Sequence, residues 1–167
     1  KLMWLNYPNN PTSAVATEED FASAIAFCRE NDIALLHDAA YSEVGYDGYR
    51  ASSFLQVDGA REVGLEFHSL SKTYNMTGWR LGWAAGNADL IEALSKVKTF
   101  IDPGVFKGVQ AAGAAALASY DDWVPGNVAR FQARRDVAVA TLRDAGFSVT
   151  EPRATMYLWV PVPGGES

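Results

Sequence analysis

The residues of this chain best suited to chemistry stand in three short stretches: Asn10 in "NNPTS", Asp38 and Tyr41 in "HDAAY", and Ser69, Ser71, Lys72 and Arg80 in "HSLSKTYNMTGWRLGW". A partly desolvated lysine can form a Schiff base with an aldehyde, which an exposed lysine at neutral pH rarely does well. An aspartate can face a ring nitrogen and keep it protonated, each unit of raised pKa being worth about 1.4 kcal/mol. A tyrosine three residues on, and an asparagine from another segment, can both hydrogen-bond a phenolic oxygen. Two serine hydroxyls, backbone N–H groups and a guanidinium suit a phosphate, which arginine grips through two parallel bonds. Singly, each residue has a plainer role. Asn10 before Pro11 reads as a turn residue, Asp38 as a cap, Tyr41 as a packing side chain, and Ser69 and Ser71 as caps of a short helix; Arg80 would pair with a surface carboxylate and Lys72 would be solvated. Their joint placement favours the first set of roles.

That placement follows from the elements around them. Residues 2–5 read as a short buried strand, and "NYPNNPTS" after it as a turn, rich in proline and asparagine. Thr17 with Asp20 forms a capping-box variant, and Phe21, Ala24, Ile25 and Cys28 recur at helical spacing, so a helix follows. "IALLH" at 33–37 is apolar throughout, as expected of a strand covered on both faces. "EVGLEFH" reads as a third strand and "LGWAAG" as a fourth. A helix from Asn87 or Asp89 to about Phe100 comes next, then one in "GVFKGVQAAGAAALASY" and a long one from Asp121 closed by Gly146. Residues 147–150 and 156–160 alternate like strands of a second, smaller unit. The pattern predicts an α/β chain: part of a three-layer α-β-α domain over 1–120, then over 121–167 a connecting helix and the beginning of a small α+β domain. In such sheets ligands bind beyond the carboxyl ends of the strands. Asn10 follows the first strand, Asp38 and Tyr41 the second, and Ser69, Ser71 and Lys72 the third. A compound offering an aldehyde, a pyridine nitrogen, a phenolic oxygen and a phosphate to such a set is pyridoxal 5′-phosphate.

Bulk properties narrow the field. The 167 residues are 49% hydrophobic and 20% charged, ordinary for a globular chain with a sizeable core. Fourteen Lys and Arg against 20 Asp and Glu give a net charge of −6, with no basic run, which argues against a nucleic acid or acidic membrane as partner. The single Cys28 excludes an internal disulfide and, with two histidines, leaves too few soft ligands for a structural zinc site, so no metal is expected and a reducing, cytoplasmic compartment is. His37 and His68 stand just before the two key loops and are read as structural. Trp79 and Trp83 are expected in core or interface packing, and Cys28 as a buried apolar side chain. The chain opens on an apolar run without an initiator methionine and stops just after another, as expected of a portion of something longer.

"NNPTS", "DAAY" and "SLSKTYNMTGWRLG" resemble, in order and with similar gaps, the signature segments of the class I/II aminotransferases, fold type I of the pyridoxal-phosphate enzymes. The resemblance runs from the first residue to "TMYLW" and is strongest to the aspartate and LL-diaminopimelate branch. It implies that Lys72 binds the cofactor covalently, that Asp38 partners the pyridinium nitrogen, that Tyr41 and Asn10 hold the ring oxygen, and that Ser69, Ser71 and Arg80 hold the phosphate. It implies amino-group transfer between an amino acid and a 2-oxo acid, with Lys72 moving the proton, in a homodimer whose partner approaches near "FIDPGVFKGVQ". The sequence departs from the family at Ser13, where glycine is common. The family's glycine-containing phosphate helix, ring-stacking aromatic and first part of the small domain would precede Lys1, and its substrate-carboxylate arginine would follow Ser167. The rival readings are a pyridoxal-phosphate lyase, such as a carbon–sulfur lyase, a non-catalytic aminotransferase-like regulatory domain, and an inactive truncated half.

Overall fold

The computed structural model describes residues 1–102, 104–162 and 164. Four strands, β1 (Leu2–Asn6), β2 (Ala34–Asp38), β3 (Gly64–Ser69) and β4 (Gly82–Gly86), lie side by side in that order. The first three are parallel and β4 is antiparallel to β3, because the short link between them reverses the chain rather than crossing over. The helices are α1 (Glu18–Glu30), α2 (Ala60–Val63), α3 (Leu70–Thr73), α4 (Ala88–Ile101), α5 (Lys107–Ala118) and α6 (Tyr120–Asp144). Among the described residues no helix is long and apolar enough to cross a membrane.

The start of α1 is held by a full capping box: Thr17 Oγ1 accepts from the Asp20 N–H at 3.2 Å, and the Asp20 carboxylate accepts from the Thr17 N–H at 2.8 Å. Its buried stripe, Phe21, Ile25 and Cys28, packs on Leu35 and Phe54, with Met3 and Leu5 beside them. Strand alternation and register place Met3, Leu5, Leu35, His37 and Glu66 on this face, and Trp4, Asn6, Asp38, Phe67 and Ser69 on the other. On that second face Ile91 and Leu94 of α4 share a groove with Phe67 and Ala84, so helices flank the sheet on both sides. At the sheet's edge Gly86 has φ 140°, and an added Cβ would stand 2.3 Å from the Gly64 carbonyl oxygen, so only glycine lets β4 pair this closely.

Two expectations are corrected. Glu62 and Val63, read as the start of the third strand, end α2 instead. Residues 147–150 and 156–160 form no strands. Their alternation finds no neighbouring strand to pair with. The segment bonds the loop after β2 through Tyr46 N–H to the Arg153 carbonyl and Thr155 N–H to the Val44 carbonyl, leaving one isolated bridge, Gly45 with Ala154.

Candidate active site

The carboxyl ends of β1 and β2, with α3 at the end of β3, open onto one cleft of about 580 Å³ lined by Asn10, Asp38, Tyr41 and Lys72, with Trp4, Asn6 and Tyr7 among its walls. That volume is within the ~300–1,000 Å³ typical of small-molecule sites. Asn6, at the end of β1, sets much of its geometry. Its Nδ2 donates to the Asp38 carbonyl at 2.9 Å and its Oδ1 accepts from the Asn10 N–H at 2.9 Å, joining two loops to one side chain. Asp38 Oδ1 accepts from the Ala40 N–H at 3.1 Å, an Asx turn that fixes the carboxylate where β2 ends.

Lys72 is half-buried on the one-turn helix α3, whose N-cap is Ser69, with Oγ accepting from the Ser71 N–H at 3.2 Å. From α6, the buried Asn127 donates to the carbonyls of Lys72 at 2.9 Å and Thr73 at 3.0 Å, tying off the end of α3. The Lys72 ammonium stands 4.9 Å from the centre of the Tyr41 ring. Burial pushes the Tyr41 phenol up and the Asp38 charge pushes the same way, against the Asn10 amide, and the Tyr41 hydroxyl lies 2.5 Å from that of Tyr157. Lys72 and Tyr41 are thus in direct contact in the cleft that Asp38 and Asn10 also line.

Ser69, Ser71 and Arg80 do not line this cleft. Ser69 caps α3, Ser71 is buried, and Arg80, in left-handed backbone at φ 52°, donates to the Thr77 carbonyl at 3.0 Å and faces a neighbouring groove of about 650 Å³ with Phe67 and Leu94. The two histidines lie on the opposite face of the sheet. His37 Nδ1 and His68 Nε2 meet the two oxygens of Glu66 at 3.0 and 2.8 Å, and His37 Nε2 meets the Tyr7 carbonyl at 3.0 Å. Trp79 and Trp83, expected in packing, are 50% and 44% exposed, although Trp83 stacks on His68 at 3.9 Å. Cys28 is fully buried. Among the described residues no cluster of His, Cys, Asp or Glu could hold a metal ion. Sequence reasoning passed over Asn6, Asn127 and Tyr157. Asn6 carried a signal, as the first asparagine of an asparagine-rich turn; Asn127 and Tyr157 act across 55 and 116 positions of sequence and carried none.

The model of the family "Aminotransferase class I and II" matches residues 1–165. The chain belongs to this family. Among similar proteins, the LL-diaminopimelate aminotransferase of Desulforudis audaxviator is 58% identical over 165 residues, and that of Moorella thermoacetica 54%. Each match covers 99% of this chain and 42% of the relative, so the chain spans less than half the length of these proteins. A solved structure of a probable N-succinyldiaminopimelate aminotransferase from Thermus thermophilus superposes with a TM-score of 0.92 at 40% identity, covering 99% of this chain and 45% of that one. The α/β architecture is that of the aminotransferases.

Proposed function

We propose that this chain supplies the cofactor-binding core of a pyridoxal-phosphate-dependent aminotransferase that moves an amino group between an amino acid and a 2-oxo acid. The observation that carries the reading is the convergence of Lys72, Asp38, Tyr41 and Asn10 on one cleft in a chain of this family. An amine, a carboxylate, a phenol and an amide fit the aldehyde, ring nitrogen and phenolic oxygen of pyridoxal 5′-phosphate. In this reading Lys72 makes the covalent link, Asp38 accepts from the ring nitrogen, and Tyr41 and Asn10 donate to the ring oxygen; the phosphate is assigned to Ser69, Ser71 and Arg80 on the family resemblance alone, since these three stand outside the cleft wall. When bound, the cofactor supplies an electron-accepting ring that stabilises negative charge at the substrate Cα.

The chain's own share is orientation and proton transfer. Asp38 would meet the ring nitrogen from an oriented position, its carboxylate bonded by the Ala40 N–H and its backbone carbonyl by Asn6. Lys72 Nζ is the amine among the cleft-lining side chains and, once the substrate's own amine had displaced it from the covalent link, would take the proton from the substrate Cα; Asn127 keeps the backbone beneath it in place.

The names of the relatives support LL-diaminopimelate as the amino donor, and with it a place in amino acid biosynthesis. A homodimer is part of the proposal. Phe100, Ile101 and Phe106 are 92%, 72% and 78% exposed in the stretch where the family's partner subunit approaches, and burying them against a second copy would remove a large apolar patch from water. Light scattering that finds only monomer at high concentration would contradict this. The domain division at 120/121 is proposed as well: α6 begins against α3 through Val124 and Asn127, and carries the 147–162 segment at its far end. A cytoplasmic setting rests on the single, free Cys28. The test of function is to give the complete protein LL-diaminopimelate with and without 2-oxoglutarate. Glutamate formed only with both supports transfer. Product without the acceptor points to a lyase, and cofactor binding without product to a regulatory domain.

A further inference from the structure

Resting on that reading of the cofactor site, we propose that Tyr157 is a further residue of it, a positioning residue whose hydroxyl donates to Tyr41 and which a closed ring of hydrogen bonds through Ser13 and Thr155 holds in place. The hydroxyls of Tyr41 and Tyr157 are 2.5 Å apart and their rings meet edge to face, 5.5 Å between centres at 70°. Tyr157 thus touches the one phenol that the site reading assigns to the cofactor's ring oxygen, and it does so from a segment 116 positions away.

The placement of Tyr157 is over-determined. Ser13 Oγ lies 2.8 Å from the Tyr157 carbonyl and 2.7 Å from Thr155 Oγ1, and the Tyr157 N–H donates to Thr155 Oγ1 at 3.2 Å. A carbonyl only accepts, so the Ser13 proton goes to Tyr157. Thr155 must then give its own proton to Ser13 while accepting from the Tyr157 N–H. The three bonds close into a ring with one direction, each strengthening the next. Both hydroxyl residues adopt left-handed backbone, Ser13 at φ 61° and Thr155 at φ 72°. For a β-branched threonine that conformation is strained, and strain of this kind persists only where surrounding contacts hold it. Here they do: the Thr155 N–H donates to the Val44 carbonyl, and the Tyr46 hydroxyl donates to the Thr155 carbonyl. Ser13 also follows Asn10 by three residues, so the ring couples Tyr157 to the loop carrying the second ligand of the same ring oxygen. A glycine at 13 would relieve the backbone and open the ring.

The direction of the shared proton follows from the site reading. Tyr41 donates to the cofactor's oxygen, so its own oxygen is free to accept, and Tyr157 donates to it. An accepted bond makes Tyr41 a stronger donor.

The complete protein loaded with pyridoxal 5′-phosphate tests this through the pH midpoint of the visible absorbance of its lysine-bound cofactor, in wild type, Tyr157→Phe and Thr155→Val. The Phe variant keeps the ring contact and loses only the hydroxyl. With Tyr41 a weaker donor, the ring oxygen keeps more negative charge and the neighbouring nitrogen holds its proton more tightly, so the midpoint should rise by about 0.3–1 unit, a two- to tenfold change. Thr155→Val opens the ring and should move it the same way by less. A purely structural role would lower the melting temperature and leave the midpoint alone. An unmoved midpoint in a variant that retains the band overturns the inference and leaves the proposed function standing; if Tyr157→Phe does not fold, the Thr155→Val midpoint decides in the same way. A wild-type protein with no lysine-linked band overturns both.

Discussion

Glu66→Leu should cost the protein about 3–5 kcal/mol of stability, the usual result of removing one partner from a buried charged network. Glu66 is 1% exposed and accepts on both oxygens: from the Phe54 N–H at 2.7 Å and facing His37 Nδ1 at 3.0 Å on one, from Ser53 Oγ at 2.7 Å and facing His68 Nε2 at 2.8 Å on the other. Ser53 and His68 are partly exposed and can turn to water when the carboxylate is gone. The Phe54 N–H and the His37 ring are buried and cannot, and two stranded polar groups at about 1–3 kcal/mol each give roughly 2–6 kcal/mol, which brackets that figure. Acid should produce part of this loss in the wild type. Burial alone would push the Glu66 carboxyl up, but hydrogen bonds from His37, His68 and Ser53 outweigh it and hold the group well below its ordinary value of 4.5. A carboxyl depressed in the folded state contributes stability that is fully present above the unfolded value and lost as pH falls through the folded one. The wild type should therefore weaken progressively below about pH 4.5, while the leucine variant shows a flatter acid limb. Urea unfolding followed by tryptophan fluorescence, at pH 7 and in steps down to pH 3, reads both quantities. A Glu66→Leu protein within ~1 kcal/mol of wild type at pH 7, or one with an unchanged acid limb, would refute this account of the network.

Three further outcomes are expected. Asn127→Ala strips the carbonyls of Lys72 and Thr73 of their donor and should cost about 1–3 kcal/mol in urea unfolding, at roughly 0.5–1.5 for each net bond; an unmoved midpoint would remove Asn127 from the support of Lys72. Thr17→Ala opens the capping box of α1 and should cost about 0.5–2 kcal/mol, checked by the same unfolding curves. In Arg135→Met the Asp47 carboxyl, held below its ordinary 3.8 chiefly by the hydrogen bond from Arg135, should titrate closer to that value in a carboxyl NMR pH series; no upward movement would mean that the ion pair does not persist in solution.

Much of this architecture was legible because its signals are local. Apolar runs marked β1, β2 and β3, the Thr17–Asp20 pair marked the start of α1, and Gly146, at φ 87°, marked the end of α6. Asn10, Asp38, Tyr41 and Lys72 were legible for the same reason, each following a strand within a few residues, so that parallel strand order alone gathers them at one edge. Alternation misled at 147–150 and 156–160, because a strand needs a partner and none is offered there. In sequence Ser13 is a small departure at a turn; its hydroxyl closes a ring with Thr155 and Tyr157 across 142 and 144 positions, a distance no local pattern spans.

The central claim is that Lys72 is the amine that takes the cofactor. Incubating the protein with pyridoxal 5′-phosphate, reducing with borohydride and locating the adduct by peptide mass spectrometry, with Lys72→Ala alongside, tests it most directly. One dominant adduct is expected, on the peptide carrying Lys72 and absent from the variant. Adducts scattered over surface lysines, or an equal yield from Lys72→Ala, would contradict it.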